Sequence, residues 1–291
     1  MPTQAIQWLD SYLTNRRQRT KCNGSVSAWC SVPSGVPQGS VLGPLLFCIS
    51  MSSLKAVCSN TRIIKYADDV TLLHFIRDSS EDCLQTEMDS VASWSVSVGL
   101  RLNLSKCSVT NFITKKSICC SSIFGPSGEE IPNKETVKIL GVTFSHDLRW
   151  KYHCDNIVKK ACKRIFVIRN LKRSGCDPSL LFHVYRALIR SVLLYAYPCF
   201  CNAAQHLHES LYKVERRLFR MIFNNSFYED NIEQASMNLC RSLFRAILCT
   251  DSHPLRCLFL AREPTHRNPC VLRPPRSRTK RFSNSFIKFC R

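Results

Sequence analysis

The feature that most constrains this chain is an acidic pair, Asp68-Asp69, preceded by Tyr66-Ala67 and set between two β-branched apolar runs. The runs, Arg62–Lys65 and Val70–Ile76, read as strands, and the acids fall where a tight turn must join them. A hairpin turn presents both carboxylates to solvent, where they can hold divalent cations. The alternative interpretation is a solvated turn that carries two acids by chance.

The remaining pattern predicts an α+β chain in which short strands give way to long helices after Trp150. Asn23-Gly24 lies between alternating residues and predicts a hairpin. Strands are expected at 108–114 and 136–144. Helices are predicted at 4–13, 41–57, 80–98, 152–173, 179–196 and 206–223. We therefore expect three regions, at 1–150, 151–225 and 226–291, the last of them basic.

The charge balance points to a polyanionic partner. Lys and Arg total 41 against 21 Asp and Glu, which gives a net charge of +20. The longest apolar run, Val41–Ile49, contains Gly43 and Pro44 and is too short for a membrane span, so no membrane role is expected. The 18 cysteines form no C-x-x-C pair, which favours free, buried thiols in a reducing intracellular compartment, the nucleus or cytoplasm.

Five blocks along residues 8–150 resemble the reverse transcriptases of non-LTR, LINE-like retrotransposons, closest to the jockey kind. The blocks are WLDSYLTNRRQRTKCNGSVSAW, SGVPQGSVLGPLLF, KYADDVTLL, WSVSVGLRLNLSKC and VKILGVTFSHDLRW, in the family's order. The resemblance implies a partial right-hand polymerase palm, an antiparallel sheet with helices, followed by a helical thumb and a basic tail. It also implies an RNA template, a DNA primer and dNTP as substrates, with Mg²⁺ or Mn²⁺ as cofactor.

The resemblance gives each block a role. Asp68 and Asp69 become the catalytic, metal-binding pair. Residues implied to bind the nucleotide are Pro37, Gln38, Gly39, Tyr66 and Lys106, and those implied to form the primer grip are Leu140 and Gly141. Without the resemblance, these would be a Gly/Pro turn before a core helix, a solvated surface lysine and a buried strand with one glycine.

Two features depart from the family pattern. No strand of the form F-D-x-x-x-A-F-D, which carries the family's third carboxylate, occurs in the chain, and Ile49–Leu54 stands where the family has Asn-Asp-Leu. We expect the fingers, that aspartate and any endonuclease to precede Met1, through either an internal start or a degraded copy, and the chain alone to be inactive. The alternative is a non-catalytic nucleic-acid-binding remnant. A metal site at Cys199, Cys201, His206 and His208 is disfavoured because their spacing fits no zinc-finger pattern.

Overall fold

A computed structural model describes residues 2–76, 82–112, 121–224, 231–258, 260–261 and 272–273. The chain divides into two compact units, Met1–Lys134 and Glu135–Arg291. Both combine helices with small antiparallel sheets, so the α+β class is confirmed. Among the described residues, no helix has the length and apolar character needed to cross a bilayer.

The first unit contains three helices, three two-stranded sheets and one 3₁₀ turn within its described residues. Its elements are α1 (Thr3–Leu13), β1 (Arg17–Gln18), β2 (Lys21–Cys22), β3 (Ser25–Val26), β4 (Cys30–Ser31), α2 (Leu42–Ser52), β5 (Thr61–Tyr66), β6 (Asp69–His74), α3 (Leu84–Ser97) and a 3₁₀ turn (Leu104–Lys106). The strand β1 pairs with β4 and β2 with β3, which confirms the hairpin predicted around Asn23-Gly24.

Two predictions for this unit were wrong in detail. The helix predicted over 41–57 ends at Ser52. The chain after it leaves the helical path, because the backbone N–H groups of Val57 and Cys58 donate to the buried Glu87 carboxylate, at 2.8 Å and 2.5 Å. The strand predicted at 108–114 is reduced, within its described part, to a single bridge between Val109 and Asn133.

The second unit begins with a hairpin and continues as a helical bundle. Its elements are β7 (Thr136–Ile139), β8 (Val142–Ser145), α4 (Lys151–Arg173), α5 (Pro178–Tyr185), a π-helical segment (Arg186–Arg190), α6 (Ser191–Leu193), α7 (Tyr197–Phe200), α8 (Gln205–Phe223), α9 (Ile232–Cys249), a 3₁₀ turn (Arg256–Leu258), β9 (Leu260–Ala261) and β10 (Leu272–Arg273). The helices predicted at 152–173 and 206–223 are confirmed by α4 and α8.

The core of this unit forms because apolar residues recur three or four positions apart. On α4 the buried positions include Ile157, Ala161, Ile165 and Ile168, and they pack into one cluster with residues of α5 to α9. The start of α5 is fixed by Asp177, whose side chain accepts a hydrogen bond from the Ser179 N–H at 2.8 Å.

The helix predicted over 179–196 is interrupted, and a further helix was missed. The π-helical segment changes the helical repeat and buries two successive residues, Ile189 and Arg190, so the Arg190 guanidinium can donate to the Asn231 carbonyl at 2.8 Å. That contact lies beside the start of α9, a helix within the region predicted only as a basic tail. Most of that tail, Arg262 to Arg291, lies outside the described residues.

Candidate functional site

The acidic pair lies at the tip of a regular hairpin. Strands β5 and β6 pair from Thr61 with His74 to Tyr66 with Asp69, and only Ala67 and Asp68 form the turn. Ala67 has φ of 51°, the left-handed conformation that a two-residue hairpin turn requires at its first position. Both carboxylates are exposed, and no hydrogen bond or ion pair to either occurs within the part of the chain described. The turn predicted from the flanking strands is confirmed.

The two faces of the hairpin differ. Cross-strand partners share a face, so Asp69 lies with Tyr66 on a side where Ile64 and Tyr66 are exposed. The opposite face is partly buried and includes Lys65 opposite Val70. The hairpin therefore has one face against the unit and another open to solvent beside the acids.

Lys65 is a residue of the site framework that the sequence did not reveal. Its ammonium group donates to the carbonyls of Met51 at 2.8 Å and Leu54 at 2.5 Å, at the carboxyl end of α2. A cation is favourable there because the helix dipole is negative at that end. Lys65 thus attaches the helix that follows the Gly35–Gly39 loop to the strand that ends at the acidic turn. The one available signal was a lysine at an inward position of an apolar strand.

The loop that carries Pro37, Gln38 and Gly39 is anchored at both ends. Before it, the Arg16 guanidinium donates to the carbonyls of Ser34 at 2.9 Å and Gly35 at 2.6 Å. After it, the Ser40 hydroxyl donates to the Pro37 carbonyl at 2.7 Å and accepts from the Gly43 N–H at 3.0 Å.

Glycine is required at position 43 of this region, because a Cβ there would lie 2.8 Å from the Pro37 carbonyl oxygen. Gln38 is exposed, and among the described residues no hydrogen bond joins it to Asp68 or Asp69.

Lys106 ends the 3₁₀ turn in the first unit. Its backbone N–H donates to the Asn103 carbonyl at 3.1 Å, and its side chain is exposed with no ion-pair partner among the residues described. The ammonium group is therefore available to an anionic ligand.

Leu140 and Gly141 form the turn of the β7–β8 hairpin in the second unit. Both have positive φ, 48° and 86°, the pattern of a type I′ turn. The Tyr195 hydroxyl donates to the Leu140 carbonyl at 2.6 Å, and a Cβ on Gly141 would lie 3.1 Å from the Tyr195 ring. The close approach of the ring and the backbone conformation both favour glycine at 141.

The cysteines and histidines provide no metal centre among the described residues. No group of three or more Cys, His, Asp or Glu side chains able to hold a metal occurs there. The described cysteines are free as predicted, but the expectation that most are buried was wrong: only Cys154, Cys201 and Cys240 of this set are, because most others lie on short hairpins and outward helix faces. The buried His208 bonds instead to the Tyr197 hydroxyl, at 3.2 Å.

Comparison with known proteins supplies the family. The family model described as reverse transcriptase (RNA-dependent DNA polymerase) matches residues 1–144. The RNA-directed DNA polymerase from mobile element jockey of Drosophila melanogaster is 25% identical over 242 residues, 78% of this chain and 26% of the relative.

Two further relatives from the same organism have similar names. The probable RNA-directed DNA polymerase from transposon BS is 26% identical over 76% of this chain and 26% of its own length. The corresponding protein from transposon X-element is 23% identical over 99% of this chain and 32% of its own length. The chain thus spans about a quarter to a third of the length of these three curated relatives. Through residues 1–144, it belongs to the reverse transcriptase (RNA-dependent DNA polymerase) family, with relatives among the polymerases of non-LTR retrotransposons.

Proposed function

We propose that this chain contributes the dNTP-addition site of an RNA-directed DNA polymerase, in which Asp68 and Asp69 bind Mg²⁺ or Mn²⁺. The observation that carries the proposal is the two-residue turn, which leaves both carboxylates exposed and without a protein partner among the described residues. The substrates would be an RNA template, a DNA primer and dNTP.

The acidic turn fits the ion chemically. Mg²⁺ prefers oxygen ligands and is usually held by one or two carboxylates, with waters and substrate phosphates completing its shell. When bound, the ions would activate the primer 3′-hydroxyl and neutralise the triphosphate. Asp68 and Asp69 would hold them, and the paired strands would keep the two carboxylates in place.

The other named residues would position the substrates. The exposed Gln38 amide offers a donor and an acceptor to a base or sugar, and Pro37 and Gly39 shape its loop. Tyr66 shares the face of Asp69, and the Lys106 ammonium group would approach the triphosphate. In the second unit, the turn at Leu140 and Gly141 would contact the primer end.

We also propose that the 291-residue chain alone adds nucleotides poorly. Within the described ranges, no third acidic, histidine or cysteine side chain groups with the two aspartates as a metal site. Without the family's third carboxylate as a ligand of both ions, the site would lose roughly several kcal/mol of transition-state stabilisation.

A primer-extension assay tests both parts of this proposal. We expect little product from the chain alone, and extension when an upstream palm segment of a matched relative is fused to it. Asp68→Asn and Asp69→Asn should each abolish the extension by the fusion, whereas Asp10→Asn, which removes an exposed acid from α1, should not. A folded fusion that binds primer–template but extends nothing contradicts the proposal.

A second candidate, nucleic-acid binding without catalysis, is favoured by the net charge of +20. It predicts salt-dependent binding of primer–template that needs no metal and survives Asp68→Ala combined with Asp69→Ala. Metal-dependent binding that this double substitution removes would favour the polymerase site.

A further inference from the structure

Residues 17–31 form a β-hairpin, here called the basic ribbon, that is exposed on both faces. Its four short strands contain no buried or half-buried residue. The ladder pairs Arg17 with Ser31 and Lys21 with Val26. An exposed ribbon of this kind stabilises little core of its own, so its side chains are available to a ligand.

The basic ribbon combines cations with an aromatic ring. Arg17 lies in β1, Lys21 in β2 and Arg19 in the link between these strands, so three cations fall within five consecutive residues of the ribbon. The Arg19 guanidinium lies 4.6 Å from the centroid of the Trp29 ring, which places an aromatic ring beside these cations. Trp29 remains 56% exposed, an unusual state for the largest apolar side chain.

The stretch of sequence around these cations contains no acid. The sequence from Ser11 to Ala67 contains no Asp or Glu, whereas it contains seven Lys and Arg: Arg16, Arg17, Arg19, Lys21, Lys55, Arg62 and Lys65. Within the described ranges, none of the three ribbon cations forms an ion pair. The positive potential at the ribbon is therefore uncompensated locally and attracts polyanions.

We propose that the basic ribbon binds single-stranded nucleic acid, with a base stacked on Trp29 and phosphates neutralised by Arg17, Arg19 and Lys21. Closely spaced cations beside an exposed aromatic ring match the chemistry of single-stranded nucleic acid, whose bases offer flat faces between charged phosphates. An anionic membrane is a poorer fit because Trp29 and Val26 are the only large apolar side chains of the ribbon. The choice of partner rests on the proposed function.

The test measures binding of the full chain to labelled single strands of about 20 nucleotides by fluorescence anisotropy. RNA, DNA of the same sequence, an abasic DNA strand and phosphatidylserine vesicles serve as the four ligands. We expect Trp29→Ala to raise Kd about tenfold for RNA or DNA, and to leave the abasic strand unaffected because it has no base to stack. Replacing Arg17, Arg19 and Lys21 together with Gln should reduce the slope of log K against log salt by about two.

Two control variants match these changes. Trp8→Ala removes a tryptophan of similar exposure, 54%, from α1, and Lys55→Gln removes an exposed cation from the same acid-free stretch. Neither should alter binding by more than about twofold. Far-UV circular dichroism of every variant should match the wild type, because all these side chains are exposed.

The proposal is overturned if Trp29→Ala and Trp8→Ala bind RNA and DNA equally, or if Trp29→Ala weakens binding to vesicles but not to strands. If the fused chain still extends primers and loses extension with Asp68→Asn, such a result refutes the ribbon alone and leaves the polymerase site standing. Failure of the wild-type chain to bind any strand contradicts both.

Discussion

Glu215→Ala should unfold the helical unit far more easily than any surface substitution on the same helix. Glu215 lies on α8 and is 4% exposed. The Tyr185 hydroxyl donates to its Oε1 at 2.5 Å, and the Ile232 N–H donates to its Oε2 at 2.8 Å. The carboxylate therefore joins the end of α5 to the first residue of α9.

The expected magnitude follows from the donors that lose their acceptor. Tyr185 and Ile232 are both fully or almost fully buried, so neither donor can turn to bulk water. A buried donor without a partner costs about 1–3 kcal/mol, and two give about 2–6 kcal/mol. We predict a loss of about 3–4 kcal/mol, a large part of the roughly 5–15 kcal/mol by which domains are stable.

Urea unfolding followed by far-UV circular dichroism measures this loss. The matched control is Glu209→Ala, also on α8, which removes an exposed carboxylate paired with Arg216 at 2.7 Å. An exposed ion pair contributes about 0–1 kcal/mol, so that variant should unfold close to the wild type. Equal losses for the two variants would refute the assignment of Glu215 as a buried link between helices.

Three further outcomes are expected. Burial lowers the pKa of His153 and of His208, so the unfolded chain takes up protons at these sites that the folded chain does not. The free energy of unfolding, measured with urea, should therefore fall as the pH drops from about 7.5 to 5.5, by up to about 1 kcal/mol for each histidine, and a flat profile would contradict this. Leu140→Asn should raise the free energy of unfolding by about 0.5–1 kcal/mol, and with it the melting temperature, because Asn tolerates the left-handed backbone better than Leu. A lower melting temperature would refute the turn assignment. Lys65→Met should lower the free energy of unfolding by about 1–3 kcal/mol through loss of its bonds to the Met51 and Leu54 carbonyls, whereas Lys55→Met, at an exposed position, should not; equal unfolding curves would count against the Lys65 contact.

Local patterns in the sequence were sufficient for the acidic hairpin. Its strands consist of β-branched and apolar residues, and its turn needs only two residues, so Asp68 and Asp69 could be placed from their neighbours alone. The hairpin at Asn23-Gly24 was predictable for the same reason.

Contacts between distant residues could not be read in this way. Lys65 binds carbonyls at and just after the end of α2 that only the tertiary structure brings near, and Glu215 next to Arg216 looks like an ordinary solvated charge. Helix α9 was missed because its buried face includes Ser236 and Cys240, which weaken the apolar pattern.

The most direct test of the account is Mn²⁺ binding by the full chain with primer–template and dNTP present, followed through the electron paramagnetic resonance signal of free Mn²⁺. Replacing Asp68 and Asp69 together with Asn should weaken the binding at least about tenfold, because carboxylates are the preferred ligands of such ions. Asp10→Asn should leave it unchanged. Equal Mn²⁺ affinity in all three proteins would show that the exposed acidic turn is not the metal site.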